Sequence, residues 1–569
     1  MPGKRSFARV SPHITRRVRR PGALWLLALL ASIAAASPGC TGVRQWRQNG
    51  FKVGPNYRLP PAPVSGGWID SADGRVVSAS AASDTWWDAF ADPTLNSLIE
   101  SAQRQNLDVR AAGARILEAR AKRSIAAGNL FPQSPGAFGV YAHGQIGQNF
   151  PLQFPHIINL WLTGFNLSWE ADFWGRYRRT IAAADAEWAA SVEGYRDALV
   201  MLLGEVATSY VQVRTFQQRI EYARRNVDAQ RGSLEIAEVR FRDGHVPELD
   251  VQQARSNLAQ TRSQIRPLES SLRMANNQLC VLLAMPAQQV ADSLEPRPIP
   301  EAPAEVAVGI PAELLRRRPD VRQAEREVAA QSEQIGIATA DLYPRFALNG
   351  FLGYAPTEFG DLFSEKSFFA FVFPTFQWKI LNYGRLRNNI QMQQARFQGR
   401  VLKYQQTVLQ AQREVEDALA AFLRAQEQAR DLEESVTATE RSVELVLTMY
   451  RGGIADFNRV YNTQSLLAAQ QDQLAQVRGT IALRLIDVYR ALGGGWQYFS
   501  HSAACAPLAT TSASLPAGHG RLPNSTRLKP AGPSPARSTA SSADGAEAIA
   551  PLESLPPGSR SDRLPTVTE

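Results

Sequence analysis

The side chains able to do chemistry in this 569-residue chain are few and dispersed. Its six histidines (His13, His143, His156, His245, His501 and His519) contain no pair at metal-ligand spacing, and the three cysteines join none of them in a cluster. Paired carboxylates such as Glu414 and Glu416 would serve acid–base catalysis only in a dry pocket. Here they fall among the polar positions of a helical stretch and read as a solvated face. No glycine-rich loop opens a helix after a strand to cradle phosphate, and no nucleophile elbow occurs. Cys280, inside the apolar run Leu279 to Ala284, reads as a small buried hydrophobe. The pattern holds no catalytic set, no metal site and no cofactor motif, so the expectation is a protein that is not an enzyme.

One thiol stands apart. The first 39 residues carry a basic region (Arg16 to Arg20), an apolar stretch (Leu24 to Ala36) and small residues ahead of Cys40, the layout of a secretory signal. Cys40 after Gly39 resembles the acylation site of a bacterial lipoprotein, although Ser37 stands where such sites prefer Leu; ordinary cleavage near Ala36-Ser37 is the alternative. The leader also explains the formal charge of +9: it holds seven basic side chains and no acid, and the remainder is near neutral. No basic stripe interleaved with aromatics is left, which argues against nucleic acid. Beyond the leader no apolar run reaches the ~20 residues of a membrane-spanning helix. A membrane crossing would have to be a closed β-barrel.

The elements that position these residues come in two copies, offset by 209 to 212 positions. Leu107-Asp108-Val109-Arg110 returns as Pro319-Asp320-Val321-Arg322, and Leu130-Phe131-Pro132 returns as Leu342-Tyr343-Pro344. Trp169, Gly175 and Arg176 return as Trp378, Gly384 and Arg385, and Phe241-Arg242-Asp243-Gly244 as Tyr450-Arg451-Gly452-Gly453. In each copy a helix-compatible stretch (about 93–127; about 311–341) precedes two strand-like segments (about 137–147 and 158–169; 345–354 and 368–378). Phe165, Leu167 and Trp169 alternate with Asn166 and Ser168, as a strand requires. A very long helical pattern follows (about 180–243; 385–451), then a glycine-marked turn and a further helix to about 285 or 492. From Val401 through Tyr404, Val408 and Phe422 to Tyr450, apolar residues recur at spacings of 3 and 4 with Thr439 as the one exception. That heptad predicts a left-handed supercoil roughly 100 Å long.

Such helices are too long for a globular core, and four strands are too few to close a barrel, which needs about eight. Open edges are not tolerated in lipid. The fold class expected is therefore mainly α with a small β part. Long antiparallel coiled-coil helices form an α-barrel by internal duplication, and several chains must pool their four strands each, three of them giving a β-barrel of about 12 strands.

The order Val53-Gly54-Pro55-Asn56-Tyr57, Trp86-Trp87 with Asp92-Pro93, Arg317-Arg318-Pro319-Asp320, Asp341-Leu342-Tyr343-Pro344, Tyr450-Arg451-Gly452-Gly453 and Ala491-Leu492-Gly493-Gly494-Gly495-Trp496 resembles the outer membrane factors of the TolC family, in their lipoprotein branch. The resemblance covers about residues 52–497. It divides the chain into a signal peptide (1–39), a lead-in possible to lipidate at Cys40 (40–85), a first repeat (86–290), a linker (291–310), a second repeat (311–497) and a Ser/Pro/Ala-rich disordered tail (498–569). It implies a homotrimeric outer membrane channel that passes small molecules from an inner-membrane pump of the resistance–nodulation–division type and a periplasmic adaptor. Outer membrane lipid is its surroundings. Adaptor-docking tips are implied at Phe241, Arg242, Gly244 and Val246 and at Tyr450, Arg451, Gly452, Gly453 and Ile454. A periplasmic gate is implied at Asp250, Asp456, Arg459 and Asn462, with Arg459 and Asn462 standing where acids are frequent. Type I protein secretion and a pore-less periplasmic coiled coil remain the alternatives.

Overall fold

The two offsets in the sequence are kept in the structure almost to the residue. The computed structural model describes residues 43–77, 84–145, 157–287 and 297–503. The leader, Cys40 and the stretch 504–569 lie outside the described residues. In chain order come α1 (Val43–Gln48), β1 (Val76–Val77), α2 (Pro93–Gln105), α3 (Leu107–Gly128), β2 (Gly136–Gln145), β3 (Ile157–Ala171), α4 (Arg176–Arg242) and α5 (Glu248–Leu282). The second copy supplies β4 (Val306–Ala307), α6 (Leu314–Arg317), α7 (Pro319–Ala340), β5 (Arg345–Tyr354), β6 (Phe368–Gln377), α8 (Arg385–Arg451), α9 (Phe457–Ala491) and α10 (Trp496–Ala503). Helices α4 and α8 are each 67 residues long, α5 and α9 each 35, and α3 and α7 each 22.

Helix ends follow local chemistry. Gly175 (φ 82) and Gly384 (φ 80) hold left-handed backbone ahead of α4 and α8, a conformation that costs other residues a Cβ clash. The expected single helix over 93–127 is two: Asn106 turns out of the helix (ψ 132) and its side chain accepts from the amides of Asp108 and Val109. Capping is what Asn does best. The stretch from Pro311 also divides, because Pro319 drives Arg318 to ψ 119.

The heptad of α8 is a buried seam. Tyr404, Val408, Ala411, Val415, Ala418, Phe422, Ala425, Ala429, Val436, Thr439, Val446 and Tyr450 are all buried. The four long strands form one antiparallel sheet in the order β2-β3-β5-β6, and the outer edges of β2 and β6 have no partner among the described residues. Opposed pairs Phe165–Leu352, Trp169–Leu348 and Ala171–Phe346 make one face continuously apolar. The alternating Phe369, Phe371 and Phe373 belong to the other face, with Asn166, Ser168 and Asn349, since Phe373 opposes Asn349 and Phe371 opposes Phe351. The two hairpins differ by one residue in register. Gly136 opposes Asn166, but its counterpart Leu348 opposes Pro374 rather than Asn166's counterpart Thr375.

Three segments differ from the sequence reading. The lead-in holds a short helix, α1, and runs extended only beyond it; Val76–Val77 then pairs in parallel with Val306–Ala307, inside the stretch read as a linker. The tail boundary at 498 falls inside α10, where Phe499 is buried and stacks on Trp87 at 5.9 Å. Its aromatic residues explain the extension, since burying such rings stabilises by roughly 2 kcal/mol each.

The motifs behind the resemblance are joints. Arg318 donates to Asp320, to the Ala491 carbonyl at 2.8 Å and to Glu414, while Trp496 donates to the Arg317 carbonyl at 3.2 Å. Gly495 (φ 98) leaves its Cβ space to Leu203, Trp86 and Trp87. Trp86 stacks on Tyr489 at 5.6 Å, and Asp92 caps α2 while accepting from the Tyr210 hydroxyl. Arg179, fully buried, donates to the carbonyls of Val53 and Gly54 and pairs with Glu333 at 2.7 Å. Gly336 has no side chain because Arg179 crosses it, 2.0 Å from where a Cβ would stand.

Candidate functional site

Each long hairpin ends in a turn built by the same local rules. Arg240 and Arg242 close α4, where positive charge meets the negative end of the helix dipole. Gly244 (φ 74) and Gly453 (φ 77) take the left-handed position after the helix, and the amides of His245 and Ile454 return to the carbonyls of Arg240 and Met449. Gly452 does not share this role: its φ is −76, and it occupies the place of Asp243 in the first copy. Pro247 (ψ 160) and Asp456 (ψ 160) then start α5 and α9, and the Asp456 carboxylate accepts from the amide of Arg459 at 3.0 Å.

Behind the turns lies one small core shared by both hairpins: Ala237, Val251, Ala254, Val446, Tyr450, Phe457 and Val460. Tyr450 is at its centre and 1% exposed. Its ring meets Phe457 edge-on at 5.4 Å, and the Arg240 guanidinium lies 4.8 Å from its centroid. Its hydroxyl donates to Asp250 Oδ2 at 3.2 Å. Burial raises the Asp250 carboxyl above its ordinary value; the Tyr450 hydroxyl opposes this and the Asp456 charge adds to it. Burial, then the charge of Asp250, pushes the Tyr450 hydroxyl well above the ordinary phenol range.

The residues read as docking and gate positions are thus divided differently. Phe241, Arg242, Gly244, Arg451, Gly452, Gly453 and Ile454 are exposed at the two turns and Val246 is half-buried, whereas Tyr450 belongs to the interior with Asp250. Phe241 (44% exposed), Leu249 (62%) and Ile454 (76%) give the turns an apolar surface. Asp456, Arg459 and Asn462 face solvent on the first turns of α9, and among the described residues no ion pair within the chain joins Asp250 or Asp456 to Arg459. Among the described residues Asn462 reaches only Asn458, at 3.4 Å. The partners of Asp250, namely Tyr450 and through it Arg240 and Phe457, are what sequence reasoning missed. The available signal was an aromatic closing an otherwise aliphatic heptad one turn before the glycines.

Above this core the packing turns polar. Gln464 donates to Ser233 Oγ at 2.8 Å and Ser465 to Asn257 at 3.1 Å, while Gln230 is buried with neither side-chain polar atom partnered among the described residues. Buried polar layers specify register at a cost in stability.

At the opposite end of the long helices, where they enter the sheet, aromatic rings cluster. Trp46 of α1 packs on Phe51 (4.8 Å), Phe173 (5.1 Å) and Trp174 (5.8 Å), and Trp174 stacks on Tyr343 at 4.4 Å. Trp169 and Trp378 donate to the carbonyls of Leu130 and Leu342, so the duplicated residues make duplicated contacts.

The family model for outer membrane efflux proteins matches twice, at residues 98–284 and 310–494. Nodulation protein T of Rhizobium leguminosarum bv. trifolii is 30% identical over 457 residues, covering 79% of this chain and 95% of that protein. The probable outer membrane lipoprotein SilC of Salmonella typhimurium is 26% identical, covering 78% and 95% respectively. Among solved structures, the outer-membrane channel OprN superposes with a TM-score of 0.75 at 31% identity, covering 78% of this chain and 99% of that one.

Proposed function

The chain belongs to the outer membrane efflux protein family, in its lipoprotein branch, and on that premise we propose a closed trimeric duct whose tip is latched by Asp250 and Tyr450. As a member of that family it is an outer membrane channel of a tripartite efflux system, working with a pump and adaptor and catalysing no reaction itself. Three copies are proposed because the sheet has an unpaired edge on both β2 and β6. A head-to-tail contact that repeats by rotation closes into a ring, and three four-stranded sheets give a barrel of about 12 strands. The pump is proposed to be of the resistance–nodulation–division type.

At the tip, the exposed Phe241, Leu249 and Ile454 offer the adaptor an apolar foothold beside Arg242 and Arg451. Asp456, Arg459 and Asn462 are proposed to meet neighbouring copies, where Arg459 gives the constriction a positive group in place of an acid. Cys40 is proposed to be acylated. It lies three residues before α1, at most about 10 Å of extended chain, and α1 packs by Trp46 on the aromatic rim of the sheet. A lipid there would enter the membrane beside that rim.

The observation that carries the latch is the buried hydrogen bond from Tyr450 to Asp250 across the two hairpins. Tyr450→Phe keeps the ring against Phe457 and removes only the hydroxyl, leaving a buried carboxylate short of one donor, a cost of about 1–3 kcal/mol. Single-channel recording in planar bilayers should find larger or more frequent openings in this variant. Conductance and open probability identical to the parent would refute the latch.

A further inference from the structure

The two faces of the sheet are unequal in a way that closing a barrel does not require. Phe165, Trp169, Leu348 and Phe346 share the face that is apolar from end to end, and Phe346 carries Phe173, on which Trp46 of α1 stacks at 5.1 Å. Glu170 and Arg345, the only formally charged side chains in the four long strands, lie on the opposite face with Asn166, Ser168 and Asn349. Charge on a lipid-facing strand is costly. In the trimeric barrel proposed above, on which this inference rests, that second face therefore lines the lumen.

Barrel interiors are polar along their strands, yet here only the half next to the helices is. Opposed residues of the inner face read, from the helices outward, Glu170–Ala347–Thr375, Ser168–Asn349–Phe373, Gly136–Asn166–Phe351–Phe371 and Phe138–Gly164–Gly353–Phe369, then Val140–Leu162 and Ala142–Leu160. Ser168 to Leu160 covers roughly 26 Å of strand with no charge on these rows. We propose that Phe138, Phe351, Phe369, Phe371 and Phe373 form an aromatic collar inside the barrel that binds uncharged aromatic solutes on their way out.

The rings are placed to receive such a molecule. Phe351 stacks on Phe373 at 6.2 Å, Phe369 lies 5.7 Å from Phe371, and Phe138 meets Phe351 edge-on at 6.4 Å. Phe371 is 60% exposed, Phe373 42% and Phe351 39%. Between Phe138 and Phe369 the strands approach so closely that a Cβ on Gly164 or Gly353 would stand 2.2 Å from a carbonyl of the facing strand. The wall there is bare backbone bounded by rings. Apolar area left in water is unfavourable, and a flat ring laid on this wall covers it and adds ring–ring contact. A charged solute would lose hydration and find no counter-charge on these rows.

The purified full-length channel tests this on a Cys505→Ser background, with Cys280 buried. Asn349→Cys should react with a charged, membrane-impermeant thiol reagent, read by mass spectrometry of the labelled peptide, and Leu348→Cys should not. The reverse result would put the rings in lipid and overturn the collar. With the rings intact, 1-naphthalenemethanol should slow labelling of the Asn349→Cys variant several-fold, while glucose leaves the rate unchanged. Adding Phe351→Ser or Phe371→Ser should raise the concentration needed for half protection about 2- to 10-fold, the worth of one aromatic contact. Where a serine variant yields no oligomer, Phe351→Leu takes its place, keeping apolar bulk and losing the ring. No protection by 1-naphthalenemethanol, or protection indifferent to loss of the rings, would overturn the collar and leave the barrel standing. A parent that forms no oligomer and carries no current would overturn the barrel beneath it as well.

Discussion

Asp250 gathers most of the tip's electrostatics in one side chain. It is buried, it accepts from Tyr450, and the charge of Asp456 opposes its ionisation. Burial, the leading cause, lifts its folded pKa above the unfolded one, so protonation favours the packed tip. The stabilisation therefore grows as pH falls from neutral towards the ordinary carboxylate range near ~4, and it is lost as pH rises through the raised value. Channel recordings at falling pH should show fewer openings, and Asp250→Asn, permanently neutral, should flatten that dependence. A parent channel with no pH response, or a response unchanged in Asp250→Asn, would contradict this role of Asp250. The resemblance pointed to Asp250 as a gate acid, but the sequence did not show it facing a tyrosine 200 positions away. Only packing of two hairpins decides that contact.

Among the elements, the turns discriminate between glycines that look alike in sequence. Gly453 needs its freedom at φ 77, whereas Gly452 at φ −76 is ordinary helical backbone with no close obstruction to a methyl group. Gly453→Ala should cost roughly 1–2 kcal/mol at the tip, and Gly452→Ala should be neutral or slightly stabilising. Thermal melts and adaptor pull-down of the two variants check this, and equal losses would contradict the assignment. Helix existence and length were legible from the 3.5-residue period, because the seam of α8 obeys it from Tyr404 to Tyr450. The breaks at Asn106 and Arg318 were less so. An Asn and an X-Pro pair mark boundaries only when the surrounding packing lets them interrupt a helix, and both do so where α3 and α7 begin.

At the scale of the molecule, the sheet and the lipid proposed at Cys40 would be separate anchors. The continuous apolar face from Phe165 through Leu352 to the rim embeds the chain whether or not Cys40 is acylated. Cys40→Ser should abolish incorporation of labelled palmitate yet leave the protein in outer membrane fractions as the same oligomer. A single acyl chain gives only marginal membrane affinity by itself, and release of the variant into the periplasm would overturn the sheet as an anchor that suffices alone. Joints such as Arg179 on Gly336 and Arg318 on Ala491 are of a different kind. They fix how sheet, lead-in and helices meet, and removing either guanidinium would strand buried polar groups.

Periodicity and duplication can be read along the chain, so the sequence by itself determined the long helices, the four long strands and the repeat. The family resemblance supplied the channel reading. Tertiary structure alone decided which partner each side chain meets. Tyr450 lies in the interior, bonded to Asp250, instead of exposed at the turn, α10 continued into what read as tail, and Tyr383 was left bare where Trp174 is covered. Those outcomes depend on contacts between residues tens to hundreds of positions apart, and burial and hydrogen-bond satisfaction act only once the chain has brought them together.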